Sequence, residues 1–193
     1  MSAQHKNQVR IIGGQYRRRI LKFPDSLGLR PTPDRVRETL FNWLGQDLTG
    51  WHCLDLFAGS GGLGFEAASR HAKQVVMVEM ARPVYQALQS SQQTLGAREI
   101  QLLNADAQRF LSQNRQAFDL VFLDPPFAST LLADTLALLP PHLSERARVY
   151  IECETLPDLS GWEILREGKA GTVRYALLCR AAAGDAENST ESA

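Results

Sequence analysis

The sequence predicts an α/β protein: a doubly wound, mostly parallel sheet with a small β-hairpin and a helix added at its N-terminus. Three observations predict it. From residue 51 onward, strand-like and helix-like stretches alternate, which is the pattern of βα units. The strand-like stretches are rich in Val, Ile and Leu at consecutive positions, as strands covered on both faces are. The first of them runs straight into GSGGLG (59–64), a glycine-rich turn between a strand and a helix.

Taken in order, QVRIIGGQYRRRILK (8–22) holds two β-rich runs around Gly13-Gly14-Gln15 and reads as a hairpin. FPDSLGLRP (23–31) is a proline-bearing link. Thr32-Pro33 then opens a helix, with Thr32 as N-cap and Pro33 in the first turn. Val36, Leu40, Trp43 and Leu44 form one apolar face of it, with Arg35 and Arg37 away from the centre of that face. Strand CLDLF (53–57) leads to a helix near 62–71, QVVMVE (74–79) to one near 82–95, IQLLNA (100–105) to one near 107–114, and DLVFLD (119–124) to one near 130–139. RVYIECE (148–154) is the next strand, and WEILREGKAG with TVRYALLCR reads as a terminal antiparallel hairpin. The tail AAAGDAENSTESA (181–193) is small, polar and acidic, the composition of a disordered segment.

Composition narrows the class. The apolar runs are strand-sized, far below the roughly 20 residues of a membrane span, and MSAQHKNQVR lacks the apolar core of a secretory signal. Cys53, Cys153 and Cys179 are odd in number, far apart and set in apolar stretches, so buried reduced thiols in a cytoplasmic protein are expected. No histidine pair has metal-ligand spacing, and no metal is expected. The net charge of zero hides an asymmetry. Residues 1–37 hold nine Lys and Arg against Asp25 and Asp34, a net of +7, so the rest of the chain carries −7.

GSGGLG is a literal G-x-G-x-x-G, and Glu79 follows Gly59 by 20 residues, the place of a ribose-binding acid in a dinucleotide site. Charge separates the possible cofactors. Asp55 lies four residues before Gly59. A carboxylate about 4 Å from a phosphate is repelled by roughly 4 kcal/mol at an effective dielectric of 20. S-adenosylmethionine has no phosphate and carries an ammonium and a sulfonium, which suit Asp55 directly or through water. Glu79 accepts ribose hydroxyls in either cofactor and does not discriminate. Asp106 stands where it meets the adenine edge or caps the helix that follows it. The expected cofactor-binding set is Asp55, Phe57, Gly59, Ser60, Gly61, Glu79, Asp106 and Ala107.

The fourth strand of the series ends Asp124-Pro125-Pro126-Phe127. The prolines remove two donors and stiffen the backbone. The Asp124 carboxylate and a nearby carbonyl make a pair of acceptors for an NH₂ group, and Phe127 offers a plane on which a base stacks, worth about 1–3 kcal/mol. An exocyclic amine is a poor nucleophile because its lone pair is delocalised. Two acceptors orient and polarise it toward a sulfonium methyl. No cysteine lies nearby to serve as a covalent nucleophile. The basic excess of Arg10, Arg17, Arg18, Arg19, Lys22, Arg30, Arg35 and Arg37 beside such a site reads as a grip on nucleic-acid phosphates. In a hairpin strand these side chains alternate, so they do not all share one face.

Together RIIGGQYRRRIL, LRPTPDRVRETLFNWL, LDLFAGSGGLGFEA and FLDPPF resemble the RsmD family, with no departure in the four motifs. The last two are shared broadly by amine methyltransferases, whereas the first two are specific to this family. The resemblance implies a class I methyltransferase fold with a seven-stranded sheet whose last strand is antiparallel. It implies methylation of the 2-amino group of a guanine in small-subunit ribosomal RNA, within an assembling subunit. The chain then divides into a basic N-terminal extension (1–50), a catalytic domain (51–180) and the acidic tail (181–193). Four readings compete: a DNA adenine methyltransferase, opposed by the lack of a DNA-reading domain; a protein glutamine methyltransferase, opposed by the basic N-terminus; an NAD-linked dehydrogenase, opposed by Asp55; and a non-catalytic RNA-binding assembly factor, opposed by the intact motifs.

Overall fold

A computed structural model describes residues 7–25, 31–126 and 130–182. Phe127, Arg30 and the residues from 183 onward, on which expectations were placed, lie outside the described residues.

Strands β1 (Gln8–Arg10) and β2 (Ile20–Lys22) pair antiparallel, Val9 opposite Leu21. The hairpin expected over 8–22 therefore exists, but its strands are three residues long. Residues 11–19 form a broad turn in which Gly14 (φ 72°) and Arg18 (φ 69°) adopt left-handed backbone. Helix α1 (Asp34–Trp43) follows. Two expectations at its start are corrected. Thr32 does not cap the helix: Pro33 occupies the N-cap position, without a side-chain cap bond. The Thr32 hydroxyl instead donates to the Glu152 carboxylate, 2.7 Å away and 120 residues later. Arg37 is not on the periphery of the apolar face. It is fully buried, alongside Val36, Leu40 and Phe41, because α1 packs against the hairpin on one side and the sheet on the other.

The principal sheet has seven strands in the order β5-β4-β3-β6-β7-β9-β8. These are β3 (His52–Asp55), β4 (Gln74–Val78), β5 (Ile100–Leu103), β6 (Phe118–Leu123), β7 (Leu143–Cys153), β8 (Trp162–Ala170) and β9 (Val173–Arg180). Neighbours from β5 to β7 run parallel, and β9 runs antiparallel to both β7 and β8. Successive parallel strands are joined over α2 (Gly62–Ser69), α3 (Arg82–Leu95), α4 (Ala107–Gln113), which carries the chain from the β5 edge across to β6, and α5 (Leu131–Leu138), as crossovers between parallel strands require. Successive residues of each strand face opposite layers. Cys53, Met77, Phe122 and Tyr150 pack under the hairpin, α1 and α2, whereas Leu54, Val76, Val121 and Ile151 pack under α4 and α5. Cys53 and Cys153 are buried free thiols, but Cys179 is partly exposed, contrary to expectation, because it lies toward the end of β9 beside Glu163. Among the described residues, no helix is long and apolar enough to cross a membrane.

The N-terminal extension is keyed onto α2. The Glu66 carboxylate, fully buried, accepts from the backbone amides of Ile12 and Gly13 at 2.8 Å each. It also meets the guanidinium of Arg70 at 2.8 Å and that of Arg37 at 3.3 Å. Arg37 donates further to Asp34 at 2.7 Å and to the carbonyls of Arg10 and Thr32. Such a cluster holds together because nearly every donor and acceptor in it is used. Gly14 sits against the end of α2, where a Cβ would lie 1.7 Å from the Ser69 carbonyl oxygen.

Candidate active site

Between β3 and α2 the chain makes the glycine turn. Gly61 (φ 80°) is the N-cap of α2, and a Cβ there would press on Phe65 and Leu88 at 2.7 and 2.8 Å. Gly64 lies so close to Met77 and to the Asp55 carboxylate that a Cβ would sit 2.7 Å and 2.9 Å from them. The two glycines therefore keep the start of α2 clear of side chains, so that bare backbone lines a cradle there.

Asp55 closes β3 and is buried. Its Oδ2 accepts from the Gly64 amide at 2.9 Å, so its first task is to brace the turn. Burial, with Glu79 nearby, pushes its carboxyl up to about 7, against the pull of the Gly64 and Phe57 amides. Glu79 follows β4 and accepts from the Gly59 amide at 3.0 Å and the Ala81 amide at 2.7 Å. Each carboxylate oxygen keeps a further lone pair, which suits a ribose diol. Asp106 caps α4, accepting from the Arg109 amide at 2.9 Å, as one of its two readings had it. Ala107, the next residue, is buried. Of the remaining expected cofactor residues, Ser60 is buried and hydrogen-bonds to Gly62, and Phe57 is partly exposed.

Asp124 follows β6 directly, with Pro125 buried and Pro126 exposed. Among the described residues no hydrogen bond reaches the Asp124 carboxyl, and burial, then Glu152, then Asp55 hold its proton affinity well above the ordinary carboxylate range. The strand alternation explains this gathering. Asp55, Glu79, Asp124 and Glu152 each stand two residues after Cys53, Met77, Phe122 and Tyr150, which share one face of the sheet. Four carboxyls thus converge at the carboxyl ends of β3, β4, β6 and β7. Such a mouth repels phosphates and attracts a cation. An adenosine cofactor with positive charge fits this donor set and this cradle, and a dinucleotide does not.

Several residues of the site went unread in the sequence. Met80 is 71% exposed beside Glu79, an apolar surface at the cleft, and Asn104 pins that turn by donating to the carbonyls of Glu79 and Met80. A methionine next to a strand-ending acid was the available signal. Glu152, Tyr150 and Thr32 form a buried chain behind Asp124, for which no local signal exists.

On the basic side, Arg10, Arg17, Arg18, Arg19, Lys22 and Arg35 are all exposed. Arg17, Arg18 and Arg19 lie in the turn and not in a strand, so the alternation expected of them does not apply. Arg37 is withdrawn from the candidate grip by its burial, and Arg10 is paired with Asp34 at 3.1 Å.

Comparison with known proteins agrees with this arrangement. Residues 9–179 match the family model described as conserved hypothetical protein 95. The chain is 47% identical over 186 residues to ribosomal RNA small subunit methyltransferase D of Escherichia coli K12, covering 93% of this chain and 94% of that one. It is 44% identical over 181 residues to the protein of the same name from Haemophilus influenzae, covering 89% and 94%. Among solved structures, a putative methyltransferase from Escherichia coli superposes with a TM-score of 0.82 at 46% identity, over 90% of this chain and 98% of that one. The seven-stranded sheet, its carboxylate-lined mouth and these matches agree, and the chain belongs to the RsmD family, that of the ribosomal RNA small subunit methyltransferase D proteins.

Proposed function

We propose that this chain transfers the methyl group of S-adenosylmethionine to the exocyclic 2-amino group of one guanosine in small-subunit ribosomal RNA, within an assembling subunit. The observation that carries the reading is the Asp124 carboxyl, to which no described residue donates, beside the glycine cradle in a chain whose relatives are named for small-subunit ribosomal RNA. Bound S-adenosylmethionine supplies an electrophilic methyl group on a sulfonium. Gly59, Gly61 and the bare backbone of the turn would admit its amino-acid part, Glu79 would hold its ribose, and Asp106 with Ala107 its adenine. Asp124 and the Pro125 carbonyl accept the two N–H bonds of the amine and aim its lone pair. Phe127 stacks on the base once it is unstacked from the RNA. The amine gains the methyl and loses one proton, for which the Asp124 carboxylate is the nearest acceptor. Such a substrate puts the work in the cytoplasm. Methyl transfer to purified small-subunit particles, with nucleosides read by mass spectrometry, tests the reading: 2-methylguanosine is expected, and methylation of another base contradicts it.

The mouth also sets a pH dependence. An unfolded Asp55 ionises near 3.9, whereas in the fold its carboxyl titrates at about 7. Between these values the native protein binds more protons than the unfolded chain, so this group lowers stability as pH rises through that window. A bound cation favours the ionised form. Cofactor affinity should therefore climb up to about tenfold per pH unit below neutrality and level off above it. Titration calorimetry near pH 7 in buffers of different ionisation enthalpy should register proton release on binding. Proton-neutral binding there would contradict the charge assignment.

Arg17, Arg18 and Arg19 supply the grip. Replacing all three by alanine should weaken RNA binding and reduce the slope of log K against log salt by about 2, near 0.7 per phosphate contact on single-stranded RNA. Filter binding across a salt series reads this, and an unchanged slope would argue against phosphate contact by the turn.

A further inference from the structure

Glu152 has no part in the chemistry above, yet it is held with unusual care. The register pairs Phe122 with Tyr150 and Leu123 with Ile151, so continuing one step sets Glu152 beside Asp124 on the same face. Glu152 is 4% exposed. Its Oε1 takes both of its internal donors, the Thr32 hydroxyl at 2.7 Å and the Tyr150 hydroxyl at 2.9 Å. No donor to Oε2 is found among the described residues. Nor is Oε2 sealed away: the buried side-chain polar atom without a partner among those residues is the Thr135 hydroxyl. Burial opposes the charge of Glu152, while Thr32, Tyr150 and Arg37 favour it. Asp124 just after β6, Asp55 on β3 and Tyr175 on β9 are the other titratable groups of this corner.

An acceptor held beside the amine-binding acceptors reads the ring atom next to the amine. In guanine the amine is flanked by N3, an acceptor, and by N1, which bears a hydrogen, so a carboxylate selects the N1 flank. In adenine and cytosine the ring nitrogen next to the amine is an acceptor, and an ionised carboxylate repels it. We propose that Glu152 is a specificity-determining residue whose Oε2 accepts the N1–H of the target guanine while Asp124 holds the amine. The proposal rests on the guanine 2-amino reading. It also gives Thr32, in the segment joining hairpin to α1, a role: it fixes Oε1, which leaves Oε2 for the base.

The test uses small-subunit ribosomal RNA carrying either guanosine or 2-aminopurine at the mapped target. 2-Aminopurine keeps the 2-amino group and lacks both the N1 hydrogen and the 6-oxygen. Wild-type protein should prefer guanosine in kcat/KM by about tenfold or more, since a site built to accept an N–H rejects an analogue without it. Glu152→Gln keeps an oxygen for Thr32 and Tyr150 and turns an NH₂ toward N1, so the preference should vanish or invert. Thr32→Val, which leaves the carboxylate in place, should reduce it, and calorimetry with S-adenosylmethionine checks that each variant is folded. Equal use of both bases by wild type would overturn the proposal, as would equal losses on both in Glu152→Gln. Absence of guanosine 2-methylation by wild type would instead bring down the function on which it rests.

Discussion

Asp124→Ala should lower methyl transfer by about 10²–10⁴-fold while S-adenosylmethionine binds within a few-fold of its normal affinity. The expectation follows from what touches Asp124 and what does not. No described residue donates to its carboxyl, so removing it orphans no partner among them. The cradle proposed for the cofactor is braced by other groups: Asp55 accepts from Gly64, and Glu79 from Gly59. What is lost is orientation of the amine and its proton acceptor, and positioned acid–base groups contribute about 10²–10⁴-fold. Burial, then the adjacent Glu152 and Asp55 carboxyls, raise the proton affinity of Asp124, and a cation bound beside it would oppose that rise. Single-turnover transfer and calorimetry separate the two roles. A matching collapse of cofactor affinity would make Asp124 a cofactor ligand instead.

Glu66→Ala should destabilise the protein by about 3–5 kcal/mol, the range for breaking a buried ion pair by removing one partner. It strands Arg37 and Arg70 in the interior and leaves the Ile12 and Gly13 amides without their acceptor. For a chain of this size the melting temperature should fall by roughly 10 °C. The hairpin should loosen first, because those amides are part of its tie to α2, which then rests on the bonds of Gln15 and Tyr16 to Ser69. Trypsin cleavage at Arg17–Arg19 should accelerate before the rest of the chain becomes accessible. Unchanged melting and cleavage would mean that the Glu66 cluster does not hold the extension in place.

The two effects arise on one side of the sheet, and they mark where the sequence was readable. The parallel strands were legible because burial on both faces writes itself as runs such as QVVMV, and the turn GSGGLG because close packing against Met77 and Leu88 admits glycine alone. Asp55, Glu79 and Asp124 were legible because each closes a strand, where side chains of parallel neighbours converge. Arg37 and Thr32 were misread because their partners lie 29 and 120 residues away, at Glu66 and Glu152. A local pattern sees an arginine beside a helical stripe and a threonine before a proline. It does not see the buried carboxylates that claim them. The hairpin was placed correctly but given strands that were too long, since nothing in RRR signals the left-handed backbone at Arg18.

The most direct test of guanosine methylation is mass spectrometry of small-subunit ribosomal RNA from cells with and without this gene. The expected result is one 2-methylguanosine present in the first and absent from the second, restored by the intact gene and not by the Asp124→Ala form. An unchanged guanine modification profile on deletion would contradict it.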